Sequence, residues 1–251
     1  MIDKWEVRIP GLSGDKKRWA YVYLPRDYEY DEDRRYPVMY MFDGHNLFSD
    51  DEATFGRSWR LADYLDKNNV PLIVAAVECN HEGNRRLSEY SPVNFTFKNG
   101  EKISGAGKKY MDWLTGVFKP YIDKNLRTLP DRANTAIGGS SMGGLMTLYA
   151  LAKYAGYFSR GAALSPSLWA CGGVPEFIKK ATFGKECIIY MDYGSKEFKN
   201  HDGQKELFVK TASLLFDKGV ALTASIVSGG VHSEASWEKR IPVFLQVLFG
   251  S

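Results

Sequence analysis

The segment Gly139-Ser140-Ser141-Met142-Gly143-Gly144 contains a G-x-S-x-G pattern with Ser141 at its centre. That spacing suits a tight strand-to-helix turn presenting a serine hydroxyl as a nucleophile toward an acyl carbon. A residue at the tip of such a turn has a strained backbone, and side chains two positions away on either side would collide with neighbouring segments. Gly139 and Gly143 are the residue types this geometry requires. The amide of Met142 and the start of the following helix would point at the place where an oxyanion develops. Ser140 does not fit the same frame, because Met142 stands where the second glycine would be, and it reads as support for the turn.

A serine hydroxyl attacks only when a base takes its proton, and histidine is the usual base near neutral pH. Four histidines are available: His45, His81, His201 and His232. Where a nucleophile sits on this kind of turn, the chain order is nucleophile, acid, base. His232, in Ser228-Gly229-Gly230-Val231-His232-Ser233 after the last predicted strand, satisfies that order, with His201 in a polar loop as the reserve. The acid belongs after the strand between them, where Asp192 and Glu197 both stand. Residue chemistry leaves the choice open: Asp192 is at the strand end, where it could cap the turn at Gly194, and Glu197 is farther out with longer reach.

The elements that must hold these groups follow from the apolar pattern. Residues 5–9, 18–24 and 38–42 read as strands, separated by turns and the charged stretch 27–35. Strands and helices then alternate. Strands are expected at 72–77, 135–137, 161–164, 187–191 and 222–227, and helices at 110–125, 145–154, 175–180, 206–216 and from about 233, with Pro242 either kinking the last helix or marking its true start. Such alternation predicts an α/β fold: a mainly parallel sheet with helices on both faces, and an antiparallel edge formed by the opening strands. Chemistry in such a sheet belongs at the carboxyl ends of the strands.

Bulk properties narrow the function further. The 251 residues, 44% apolar and 14% aromatic, suffice for one domain spanning 1–251, and no repeat or linker divides them. The net charge is only +3, and the basic doublets, Arg85-Arg86 among them, are scattered and read as solvated surface, which argues against nucleic acid. No apolar run reaches membrane-spanning length, and residues 1–19 lack the apolar core of a signal peptide, so a cytoplasmic protein without a membrane partner is expected. Cys79, Cys171 and Cys187 lack paired C-x-x-C spacing and read as reduced packing residues, with no metal site. Nothing in the sequence argues for a homo-oligomer.

The elbow, together with Met39-Tyr40-Met41-Phe42-Asp43-Gly44-His45-Asn46-Leu47-Phe48, Leu164-Ser165-Pro166-Ser167, Gly194-Ser195-Lys196-Glu197 and Gly230-Val231-His232 with Trp237, resembles the esterase D family of α/β-hydrolases. That family is similar in fold to S-formylglutathione hydrolases, feruloyl esterases, enterobactin-type siderophore esterases and mycolyltransferases. The resemblance covers about residues 38–240 and implies a serine carboxylic-ester hydrolase acting on a small-molecule ester through an acyl-enzyme, without cofactor or metal. By position it implies Glu197 as the acid, although many relatives have Asp there. It also implies the backbone amides of His45 and Met142 as the oxyanion hole, and for Asp43 either a contact to a substrate hydroxyl or, with equal weight, a role holding its loop by hydrogen bonds. The short excursion between the predicted strands ending at 164 and starting at 187 leaves no room for a large lid. Trp169 there, with Phe95 and Phe97, could wall an acyl or aryl group or could cover core. Acyl transfer to another alcohol and a non-catalytic binding role on the same scaffold are the alternatives. The latter predicts a degraded triad, whereas all three residue types are present in order.

Overall fold

In the computed structural model of the protein, the described residues are 1–13, 16–97, 99–171, 174–197, 199 and 203–250. The chain opens with strands β1 (Ile2–Arg8), β2 (Lys17–Tyr23) and β3 (Val38–Met41), then helix α1 (Leu61–Lys67), strand β4 (Ile73–Val77) and helix α2 (Arg85–Glu89). A two-stranded hairpin, β5 (Phe95–Thr96) and β6 (Lys102–Ile103), precedes α3 (Gly107–Trp113), a π turn and α4 (Lys119–Asn125). From there the alternation is regular: β7 (Thr135–Ser140), α5 (Met142–Lys153), β8 (Arg160–Leu164), α6 (Val174–Lys180), β9 (Ile188–Gly194), α7 (Gln204–Asp217), β10 (Ala221–Val227), α8 (Glu234–Glu238) and α9 (Ile241–Phe249).

Eight strands form one sheet in the order β1-β2-β4-β3-β7-β8-β9-β10. β1 and β2 pair antiparallel, as does β2 with β4, and the remaining pairs are parallel. The antiparallel edge thus lies where strands succeed one another without an intervening helix. Side chains alternate across each strand. Val38, Tyr40, Phe42, Ile73 and Ala75 pack into one apolar layer, and Met39, Met41, Val74 and Ala76 into the other. Helix α5 lies against the sheet with every residue from Met142 to Ala152 buried, as expected of a helix apolar on all sides.

Four elements depart from the sequence reading. Helices α1 and α2 are short and stand where no helix is expected, and the hairpin β5–β6 falls in a loop. The last helix is two: α8 ends before Lys239, and Pro242 lies in the first turn of α9, where its missing N–H would have no intrahelical partner. Pro242 therefore marks a helix start and kinks nothing.

One buried ion pair ties the antiparallel edge to the segment behind the site. Arg18 of β2 donates from Nη1 and Nη2 to Glu89 of α2 at 2.7 and 2.6 Å, with side chains 4% and 2% exposed. Removing one partner strands a charge in an apolar setting. Arg18→Ala is therefore expected to lower the unfolding free energy by about 3–5 kcal/mol, and the double replacement Arg18→Met with Glu89→Leu by much less. Urea denaturation of the two variants checks this; equal losses would show that the pair's charge is not what matters.

Candidate active site

Strand β7 delivers Ser141 to the middle of the sheet's carboxyl edge. Its backbone has φ 59° and ψ −120°, a conformation costing on the order of 1–3 kcal/mol for a residue with a side chain. The surroundings hold it there. Ser141 N–H donates to Leu164 O at 2.9 Å, and Ser141 O accepts from Leu145 N at 3.0 Å and Ser167 N at 2.9 Å. The flanking glycines are sterically fixed: a Cβ on Gly139 would lie 3.1 Å from Gly143 Cα, and one on Gly143 would lie 2.9 Å from Phe42 Cβ. Asp43 after β3 and Ser165 after β8 also have positive φ, 57° and 43°. The three strained residues thus stand side by side at the ends of three neighbouring strands, β3, β7 and β8.

Three side chains distant in sequence meet at this edge. Ser141 Oγ is 2.9 Å from His232 Nε2, and His232 Nδ1 is 2.6 Å from Glu197 Oε2. The second oxygen of Glu197 accepts from Gly194 N–H at 2.9 Å and from the Ser165 hydroxyl at 2.8 Å. Burial would raise the Glu197 carboxyl, but the hydrogen bond and charge of His232, with the Ser165 and Gly194 donors, hold it below its ordinary value. The ring of His232 is further braced edge-to-face by Trp237, 4.9 Å between centroids. A second hydroxyl, Ser167 Oγ, lies 3.2 Å from Ser141 Oγ.

Asp192, the alternative acid, is held elsewhere. Its Oδ1 accepts from Arg240 Nη1 at 2.8 Å and from Ser165 N at 3.2 Å, and its Oδ2 from Tyr190 OH at 2.6 Å. Burial pushes its carboxyl above the ordinary value against the pull of Arg240. The two carboxylates are therefore driven in opposite directions by their settings, and the one at His232 is Glu197. Ser165 joins them: its hydroxyl donates to Glu197 and accepts from Trp237 Nε1 at 3.0 Å and Arg240 Nη1 at 2.9 Å, which fills its one donor and two acceptor positions. His201, the reserve base, lies outside the described residues.

A cleft of about 480 Å³ opens over Ser141 and His232, walled by Thr54, Phe55, Arg86, Glu234 and Trp237. Sequence reasoning missed most of this wall. Arg86 is no solvated surface residue: its Nε and Nη2 donate to the two oxygens of Asp43, both at 2.7 Å. Burial would raise the Asp43 carboxyl, yet the guanidinium overrides this and holds it below its usual value. Asp43, its side chain only 6% exposed, is tied by this pair to Arg86 across the loop after β3. Trp169 packs against Phe95 and Phe97 and is not part of the cleft wall. Glu234 is buried beside the cleft, which raises its carboxyl. His45 is buried in the turn Gly44–Asn46, its Nε2 2.9 Å from Thr54 Oγ1, and Met142 is the first residue of α5. Among the described residues no helix is long and apolar enough to cross a membrane.

The architecture has close structural counterparts. An IroE-like serine hydrolase from Shewanella oneidensis superposes with a TM-score of 0.77 at 20% identity, covering 98% of this chain and 79% of that one, which identifies the α/β-hydrolase fold. In sequence, the chain is 25% identical over 239 residues to the Bacillus subtilis protein YbbA, named as uncharacterized, covering 91% of each chain. It is also 27% identical over 249 residues to an endo-1,4-beta-xylanase/feruloyl esterase of Xylanibacter ruminicola, covering 97% of this chain and 31% of that protein. Residues 13–246 match the family described as Putative esterase. The chain belongs to that esterase family of α/β-hydrolases and is a carboxylic-ester hydrolase.

Proposed function

We propose that the protein cleaves small-molecule carboxylic esters through an acyl-enzyme on Ser141, with His232 as general base and Glu197 as the acid that orients it. The observation carrying this reading is the unbroken contact series from Glu197 Oε2 to His232 Nδ1 at 2.6 Å and from His232 Nε2 to Ser141 Oγ at 2.9 Å, opening into a cleft. With Nδ1–H donated to the carboxylate, Nε2 carries the lone pair that accepts the serine proton. Oγ then attacks the carbonyl carbon, and the resulting imidazolium is stabilised by Glu197.

The oxyanion is received by the amides of His45 and Met142. Each stands at the start of a helical turn, where N–H groups have no intrahelical carbonyl to bond. His232 next gives its proton to the departing alkoxide. Water enters, loses a proton to the same nitrogen and attacks the acyl carbon, and collapse of the second tetrahedral species returns the proton to Ser141 Oγ. Esters of aromatic acids are the class we assign, because Phe55, 78% exposed on the cleft wall, offers a solvent-facing aromatic ring. The Xylanibacter relative is named a feruloyl esterase, and the feruloyl group is an aromatic acyl group.

Ser141→Ala is expected to lower kcat on a nitrophenyl ester by on the order of 10⁴-fold or more and to abolish labelling by a fluorophosphonate. A variant labelled at the parent's rate would remove Ser141 from the reaction. For the acid, Glu197→Gln is expected to lower kcat by on the order of 10²–10⁴-fold with little change in KM. Asp192→Asn leaves Arg240 only the more distant Glu197, 3.6 Å away, as a buried counter-charge, so it should reduce stability by no more than the about 3–5 kcal/mol of a fully broken buried pair, while kcat of the folded enzyme stays within about tenfold of the parent. A greater kcat loss from Asp192→Asn than from Glu197→Gln would reverse the assignment.

A further inference from the structure

Strands β3 and β4 are parallel neighbours, so the loops leaving their carboxyl ends run side by side. One loop carries His45, and the other carries Cys79 and His81. The ligand-capable atoms of these three residues lie within 4.8 Å of one another. His45 and Cys79 are each 3% exposed, and the His81 side chain is 52% exposed. The imidazole of His45 uses one nitrogen, Nε2, on Thr54 Oγ1, and its other nitrogen, Nδ1, is buried without a hydrogen-bond partner. A buried polar atom left unpaired costs about 1–3 kcal/mol and calls for a reason. Nothing in the ester chemistry needs that nitrogen, because the part proposed there for His45 is played by its main chain.

We propose that His45, Cys79 and His81 form a binding site for a thiophilic divalent cation, with zinc as the reference ion. Two imidazoles and one thiolate are a donor set that zinc takes in tetrahedral geometry with a fourth position left to water, whereas magnesium and calcium prefer oxygen donors. Donation of Nε2–H to Thr54 leaves the lone pair on Nδ1 and fixes the ring. His81 has a carboxylate neighbour of the kind that supports metal-bound imidazoles, its Nε2 being 3.5 Å from Glu78 Oε2. Tetrahedral zinc needs donor atoms about 3.3–3.6 Å apart, so the three side chains, now within 4.8 Å of one another, close on the ion by small movements. Cys79 binds as thiolate, its proton passing to solvent. The site uses the His45 imidazole and no atom of Ser141, His232 or Glu197.

The full chain, stripped with a chelator and dialysed, is titrated first with cobalt(II) and then with zinc in competition with a chromophoric chelator. One ion per chain is expected, with thiolate-to-cobalt charge-transfer absorption in the near ultraviolet. Cys79→Ser should lose that absorption. His81→Ala, at an exposed loop position that leaves folding intact by circular dichroism, should weaken zinc binding by at least the ~10–100-fold that loss of a supporting residue costs. Ser141→Ala should bind as the parent does, which separates this site from the esterase reading. Absence of the charge-transfer band in the parent, or a band and affinity unchanged in Cys79→Ser or His81→Ala, would overturn the proposal.

Discussion

The backbone of Ser141 is held at a positive φ that its side chain resists, and the packing around it leaves little alternative. A Cβ on Gly143 would come within 2.9 Å of Phe42 and one on Gly139 within 3.1 Å of both Gly143 and Phe42, and the carbonyl of Leu164 fixes the Ser141 amide from the next strand. The hydroxyl is thereby lifted clear of the sheet edge toward His232, while Met142 is placed at the first position of a helix buried from there to Ala152. The apolar burial along α5 is what offsets the strain at its first turn. A substitution that loosened α5 against β7 and β8 would move the hydroxyl without touching any polar group of the site.

Behind the hydroxyl lies a compact polar network whose members have little freedom. Ser165, itself at positive φ, links Glu197, Trp237 and Arg240 through one oxygen, and Arg240 binds Asp192. The two carboxylates, five positions apart in sequence, share Ser165 and Arg240 as partners, and the one in contact with His232 is Glu197. In a setting of low polarity such a network is rigid because every partner lost leaves a buried group unsatisfied. The pair of Arg86 with Asp43 performs the same service on the other side of the cleft, fixing the loop that carries His45.

Much of this was legible in the residues, and what was not has physical causes. The strands and the principal helices declare themselves through apolar runs and spacing, and the G-x-S-x-G pattern marks the end of β7, because a close backbone approach tolerates few residue types. Helices α1 and α2 are too short for a period to emerge, and they are held by contacts with distant segments such as that of Arg18 with Glu89. Residue chemistry left Asp192 and Glu197 open, and only the family resemblance pointed to Glu197; the groups that hold Asp192, namely Arg240, Tyr190 and the Ser165 amide, come from three separate elements. Arg86 looked like half of a surface doublet, and only the fold places it opposite Asp43. Likewise His45, Cys79 and His81 carry no metal-site spacing along the chain, since their proximity arises from two adjacent strand ends.

Covalent capture at Ser141 is the central claim, and it can be read directly. The enzyme is mixed with an ester of an aromatic acid, quenched in acid within the first turnover and digested with trypsin, and the peptide of residues 133–153 is fragmented in a mass spectrometer. The account predicts the mass of the acyl group on Ser141, with Ser140 unmodified. An acyl group on any other residue, or product formed in a burst with no acylated peptide, would contradict it.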